Sequence, residues 1–290
     1  MSGDPFRGGP FGVSSGCGPA EALRAAAESG DVDAAKAQLA LPGMSKQLID
    51  SVDAGYFGGT ALSFAAEGGH EAIVEELLAA GASAGLPDRS GYSPLHLAAR
   101  HGHTKCVHLL LSNGAPPDAR DGQKQTPLHL CANSGQTDGA TLLLDFGASI
   151  DAVGGEARTT ALWRAVEQEH TALALRLIDS RADPTICDAT HRETPLHLAA
   201  RDGNAVLVAA LLGNGTGAVV NARDWNGSTP LHQCSSASIA TLLLKAGADP
   251  LSRGAGGLTP AEAAEERNKP AVAAECARFW VSCSSVLLFC

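Results

Sequence analysis

A threonine or serine returns along this chain at Thr60, Ser93, Thr126, Thr160, Thr194, Thr229 and Thr259, so successive gaps are 33, 33, 34, 34, 35 and 30 residues. Around it one phrase is rewritten: GYSPLHLAARHGH from 91, QKQTPLHLCANSG from 123 and RETPLHLAARDGN from 192. Glycines at 81, 114, 147, 215 and 247 keep nearly the same rhythm. A fixed period of this length means an array of like units, each too small to bury its own apolar side and dependent on its neighbours.

The phrase carries its own local physics. Thr or Ser followed by Pro reads as a helix N-cap and first helical position, where the hydroxyl serves an orphan N–H and Pro costs nothing. Leu95, Leu97, Ala98 and Ala99 then give a short helix with a small-residue face, broken at Gly102–His103. Val107, Leu110 and Leu111 mark a second helix that Gly114 stops in a left-handed conformation. A turn-rich stretch, APPDARDGQKQ, leads to the next Thr.

TPLHLAA behind D-x-x-G-x, with LLL-x-x-GA after it and a period near 33, resembles the ankyrin repeat over roughly residues 20–280. The resemblance implies an all-α solenoid of stacked helix–turn–helix units with short β-hairpin or turn fingers. Units fall near 20–55, 56–88, 89–121, 122–154, 155–188, 189–224, 225–254 and 255–280, the first and last being atypical caps. A Gly-rich tail, expected to be flexible, covers 1–18, and an apolar, cysteine-containing segment covers 281–290. The family also implies that His96, His129, His197 and His232 are structural, tied to the Thr or Ser hydroxyl and nearby backbone.

Composition narrows the function. Apolar residues make up 44% of the chain but aromatics only 4%, so the core is built from Ala, Leu and Val. A formal charge of −10 without a basic block argues against nucleic acid. Eight Cys form no CxxC pair, several standing where other copies have Ala or Ile. They read as small buried hydrophobes in a reducing compartment, the cytoplasm or else the nucleus. The N-terminus shows no apolar h-region, so neither a signal nor a transit peptide is expected.

Departures from the repeat mark strain or function. ALPGMSKQLIDS at 40–51 is an insertion, with Val52 just beyond it. Met44, Leu48, Ile49 and Val52 would either cover the end of the stack or form a partner-binding loop. In the fifth unit Trp163 takes the His position and Arg164 a Leu position, so Arg164 must reach water or an acid such as Glu167. Arg181 replaces that unit's stop glycine at a cost of about 1 kcal/mol, which makes this the unit expected to open first. The sixth unit is lengthened at GNGTGAVVN, and the seventh loses three residues between its helices. FWVSCSSVLLFC at 279–290 either packs on the last helices, docks a partner, or anchors through S-acylation of Cys283 and Cys290.

Chemistry finds little footing. GVSSG at 12–16 fits G-x-S-x-G but lacks the strand and helix a nucleophile elbow needs. His101, His103, Cys106 and His108 crowd together in sequence, yet they belong to a turn and to different faces of a helix. No phosphate-cradling motif is present. The expectation is no catalysis, cofactor, metal or small-molecule substrate.

What the resemblance implies instead is a protein-interaction module that grips a partner with fingers and the concave face of the first helices. The residues free to do so are Arg89, Ser90, Tyr92, Gln123, Lys124, Gln125, His191, Arg192, Trp225, Asn226 and Ser228. On the inner helices they are Arg100, His101, Asn133, Ser134, Arg201 and Asp202. This set is more basic than the chain, whose acid gathers at Glu67, Glu71, Glu75 and Glu76 and at Glu262, Glu265 and Glu266. An extended partner segment of acidic or mixed charge follows, with Tyr92 and Trp225 as anchors. In the bland alternative Arg120 and Arg223, in ARD, merely pair with Asp. Asn221 matches a finger Asn that is hydroxylated in some family members. The leading expectation is a monomeric adaptor. The alternatives are a regulatory or inhibitory subunit of an enzyme, or a membrane-peripheral scaffold held by the apolar C-terminus.

Overall fold

The computed structural model describes residues 18–55, 58–213 and 217–287. Its helices come in pairs, each a unit. The first unit holds α1 (Pro19–Ser29) and α2 (Val32–Leu39), followed by α3 (Lys46–Ile49) in the insertion. Next come α4 (Ala61–Gly68) with α5 (Glu71–Ala79), α6 (Pro94–His101) with α7 (Thr104–Ser112), and α8 (Pro127–Ser134) with α9 (Thr137–Asp145). The fifth unit is α10 (Ala161–Glu167) with α11 (Thr171–Asp179). The sixth is α12 (Pro195–Asp202) with α13 (Ala205–Gly213), then α14 (Gly217–Val220). The seventh and eighth are α15 (Pro230–Gln233) with α16 (Ala237–Lys245), and α17 (Pro260–Glu266) with α18 (Pro270–Leu287).

Every anticipated N-cap is one. Ser93, Thr126, Thr194, Thr229 and Thr259 sit in extended backbone directly before a Pro, and Thr60 and Thr160 do the same before Ala. First helices stack on first helices and second on second. One buried row therefore runs through Leu62, Leu95, Leu128, Leu162, Leu196 and Leu231, and another through Leu77, Leu110, Leu143, Leu177, Leu211 and Leu243. Each such leucine gains about 2 kcal/mol from burial, and only the adjacent unit can bury it. Cys131 and Cys234 fill the small position that Ala98 and Ala199 hold, and Cys106 the position of Ile73. Burial pushes the Cys131 and Cys234 thiols up to about 12 and those of Cys106 and Cys276 to about 11, so they remain protonated.

The fingers are turns rather than hairpins. Among the described residues the β pairing is an isolated bridge, Gly154 with Thr159. Each finger is too short for a ladder. Asp188 N to Glu193 O closes one, and a pair of backbone bonds closes each of three others: Asp88 N to Tyr92 O with Gly91 N to Asp88 O, Asp121 N to Gln125 O with Lys124 N to Asp121 O, and Asp224 N to Ser228 O with Gly227 N to Asp224 O. The same aspartates, all but Asp88 buried, turn their carboxylates onto the finger N–H groups, as Asp121 does with Gln123 and Gln125 at 2.9 and 2.7 Å.

The departures have physical consequences. In the insertion Ile49 is buried and Met44 packs on the core, while Leu48 and Val52 stay exposed, so it covers the stack end with only half of its apolar residues. Arg164 meets Glu167 at 3.0 Å, as expected, and lies 5.7 Å from the Trp163 ring centroid, while its Nε stays buried without a hydrogen-bond partner among the described residues. The fifth unit is more strained than Arg181 alone suggests. Arg158, Glu169 and Arg181 all adopt left-handed φ, at 49°, 58° and 68°. The seventh unit's shortened first helix leaves the His232 carbonyl to be served by Arg267 at 2.7 Å. Helix α18 runs past the boundary expected at 280, burying Val272, Ala273 and Cys276 on its way. Cys283 falls within that helix; its side chain, Cys290, GVSSG and the tail through residue 17 lie outside the described residues. Among the described residues no helix is long and apolar enough to cross a membrane.

Candidate functional site

The four phrase-centred histidines stay one per unit and fully engaged. His96 Nδ1 lies 3.1 Å from Ser93 N and 2.8 Å from its hydroxyl, and Nε2 reaches the Gln125 carbonyl of the next unit at 3.2 Å. His129, His197 and His232 repeat this toward Thr159 O, Ser228 O and Leu258 O, at 2.9, 3.2 and 3.1 Å. A carbonyl only accepts, so Nε2 carries the proton and Nδ1 is left to accept from the N-cap. Burial holds all four below the ordinary imidazole pKa. Trp163 does the same job with its indole N–H, which donates to Glu193 O at 2.9 Å. These rings are rivets between units.

The His101 and His103 rings stack at 6.1 Å, but with Cys106 and His108 they do not converge on one point. His103 Nε2 bonds Glu67 O at 2.9 Å, His101 faces the Glu67 carboxylate at 3.9 Å, Cys106 is fully buried, and His108 meets Phe146 edge-on at 5.9 Å. Among the described residues no three His, Cys, Asp or Glu side chains are placed to hold a metal ion.

Of the finger residues, several are already occupied. Arg89 donates to Gly55 O at 2.6 Å. Arg201 forks onto both Glu193 oxygens at 3.0 Å. Gln125 and Ser228 are buried at 6% and 5% exposure, contrary to the expectation of free finger positions, because each sits beneath its own turn with its N–H on the finger aspartate. The ARD arginines pair with carbonyls rather than Asp. Arg120 donates to Lys124 O and Val153 O at 2.7 and 2.6 Å, and Arg223 to Gly227 O and Arg253 O at 3.0 and 2.7 Å. Asn221 spends its amide on Gly247 O and Asp249 N, at 3.0 and 2.9 Å.

A recess in the third and fourth units combines open side chains with buried ones. Tyr92, Arg100, Gln125, Leu130, Asn133 and Ser134 line a hollow of about 340 Å³ between two fingers and the first helices α6 and α8. Tyr92 stands half-buried with its ring edge-on to His96 at 6.0 Å, so the riveted imidazole fixes its orientation. Arg100 is exposed and forms no ion pair among the described residues. A rigid aromatic, a cation, an apolar floor and an amide within one recess can hold a short stretch of polypeptide by stacking, charge and backbone hydrogen bonds.

Trp225 projects from the seventh unit's finger at 75% exposure, and Gln123, Lys124, His191, Arg192 and Asn226 are exposed as the sequence suggested. Arg158 escaped notice. Aligning the units on their Thr places it in register with Lys124 and Arg192, two residues before the cap, and that register alone was the signal.

A family model described as ankyrin repeats in three copies matches residues 23–121, 114–188 and 162–253. The crystal structure of the ankyrin repeat domain of Bcl-3, of the IkappaB protein family, is similar with a TM-score of 0.65 and 28% identity, covering 75% of this chain and 99% of that one. The ADP-ribosylation factor GTPase-activating protein AGD4 of Arabidopsis thaliana is 36% identical over 110 residues, 33% of this chain and 14% of that protein. The chain thus spans a small part of that relative's length.

Proposed function

The chain belongs to the ankyrin-repeat family of protein-interaction modules, and from that premise we propose that it is a non-catalytic adaptor holding an extended, acidic or mixed-charge segment of a partner protein. The observation that carries this reading is the hollow of the third and fourth units, where Tyr92 is held by a riveted histidine and Arg100 is left without an acid. Other units hold Gly59 or Glu193 at the register of Tyr92 and Glu67 or Asn133 at that of Arg100, so the stack does not demand either side chain, which supports a binding role for them. A second reading, a regulatory subunit of an enzyme, draws support from the 110-residue likeness to a GTPase-activating protein. It predicts one enzyme recovered in stoichiometric amount with the purified chain.

The double variant Tyr92→Ala with Arg100→Glu tests the main reading. Removing an aromatic anchor and reversing the adjacent charge should weaken partner recovery by roughly tenfold or more in quantitative crosslinking–mass spectrometry, with the thermal midpoint nearly unchanged. Recovery equal to the wild type would reject the hollow as the site.

A further inference from the structure

We propose that three consecutive finger tips form a comb of cations, Lys124, Arg158 and Arg192, that reads an extended carboxylate-rich peptide segment. This deepens the adaptor reading and rests on it, with a surface separate from the Tyr92 hollow.

The comb occupies a position that the fold gives to glycine elsewhere. Two residues before the cap, Gly58, Gly91, Gly227 and Gly257 all have left-handed φ. In the fourth, fifth and sixth units that same position holds Lys124, Arg158 and Arg192 at φ 63°, 49° and 58°. A side chain in this region is strained. Packing does not ask for one. A Cβ at Gly91 would strike the Gly122 backbone at 2.5 Å and one at Gly58 the Arg89 side chain at 2.7 Å, but at Gly257 it would meet nothing within 4 Å and at Gly227 nothing nearer than 3.6 Å, yet both of these stay glycine. Three neighbouring units accept strain, and each uses it to present a cation.

Backbone stitching sets the three side by side. Gly155 N donates to Gln123 O at 3.0 Å, Ala189 N to Ala157 O at 2.7 Å, and Trp225 N to His191 O at 2.8 Å. Each acceptor immediately precedes one member of the comb, so the cations follow one another along a continuous seam that ends beside the exposed Trp225. All three are exposed and form no ion pair among the described residues. Between the first two lies a groove of about 870 Å³, its floor fixed by Arg120. Glu156 is the one acid lining it and pairs with neither. Unpaired, evenly repeated positive charge on an otherwise acidic protein fits a partner strand bearing carboxylates at regular intervals.

Fluorescence anisotropy with a labelled Glu-Gly repeat peptide tests this, alongside the same peptide with phosphoserine or Lys in place of Glu. The wild type should bind the Glu peptide in a salt-sensitive manner and ignore the Lys peptide. Changing Lys124, Arg158 and Arg192 together to Gly should weaken Glu-peptide binding by roughly tenfold or more while the thermal midpoint holds or rises. Changing them together to Gln, which keeps the strained side chains but not the charge, should do the same to binding. Tyr92→Ala should leave it within roughly twofold, which separates the comb from the hollow. No binding of the Glu peptide, tighter binding of the phosphoserine peptide, binding unmoved by the Gly or Gln changes, or a lowered midpoint in the Gly variant would each overturn the comb.

Discussion

Replacing His129 by alanine should lower the free energy of unfolding by about 3 kcal/mol. The ring is fully buried and serves two units at once. Its removal strands the Thr126 N–H, leaves the Thr159 carbonyl with the Gly154 N–H alone, and opens a cavity between the fourth and fifth units. A stack is coupled only through neighbours, so a damaged rivet weakens the link across that boundary rather than one helix. The fifth unit, with its three non-glycine residues in left-handed conformations, is poorly placed to compensate. Urea unfolding followed by circular dichroism should show an earlier and broader transition. A midpoint equal to that of the wild type would mean the histidine is ornamental.

Mild acid should destabilise the protein through its buried histidines. Burial holds His96, His129, His197 and His232 below the ordinary imidazole value of 6.5. Arg120 and Arg164 push His129 further down, while Asp121 pulls weakly upward at His96 and His129. Above about pH 7 the folded and unfolded chains both keep these rings neutral, and they make stability independent of pH. As pH falls through 6.5 the unfolded chain takes up protons that the folded chain refuses, so stability drops until the lowered folded pKa is reached. Each of the four rings contributes at most about 1.4 kcal/mol per pH unit within that window. The thermal midpoint should be level from pH 7.5 to 7 and then fall by up to roughly 10 °C by pH 5.5. A flat profile would contradict the neutral, single-tautomer rivet.

Much of this was legible because the repeat states its own geometry. The seven Thr or Ser positions are the seven N-caps, and the glycines at 81, 114, 147 and 247 are left-handed stops, since cap chemistry and positive φ are fixed by residue type. The Arg164–Glu167 pair followed from the cost of a buried guanidinium alone. What stayed hidden was imposed from outside the residue. Nothing in Lys, Arg or Glu favours left-handed backbone, so Lys124, Arg158, Arg192 and Glu169 adopt it only because neighbouring units force the turn. Gln125 looked free because it stands beside Lys124, yet the Asp121 carboxylate draws its N–H inward. Of the hairpin or turn fingers that the resemblance implies, the structure shows turns, because each finger is too short for a ladder. The Tyr92 hollow was half visible: its residues were named, but Leu130 joins them only through the stacking of α8 on α6.

The claim at the centre is that a partner lies on the fingers and first helices, not on the outer second helices. A photo-activatable benzoylphenylalanine placed at Tyr92, and separately at the exposed Phe146 that follows the second helix α9, reads this out in the native cell. The account predicts one dominant crosslinked protein from position 92 and little or none of it from position 146. The same protein captured from 146 and not from 92 would contradict it.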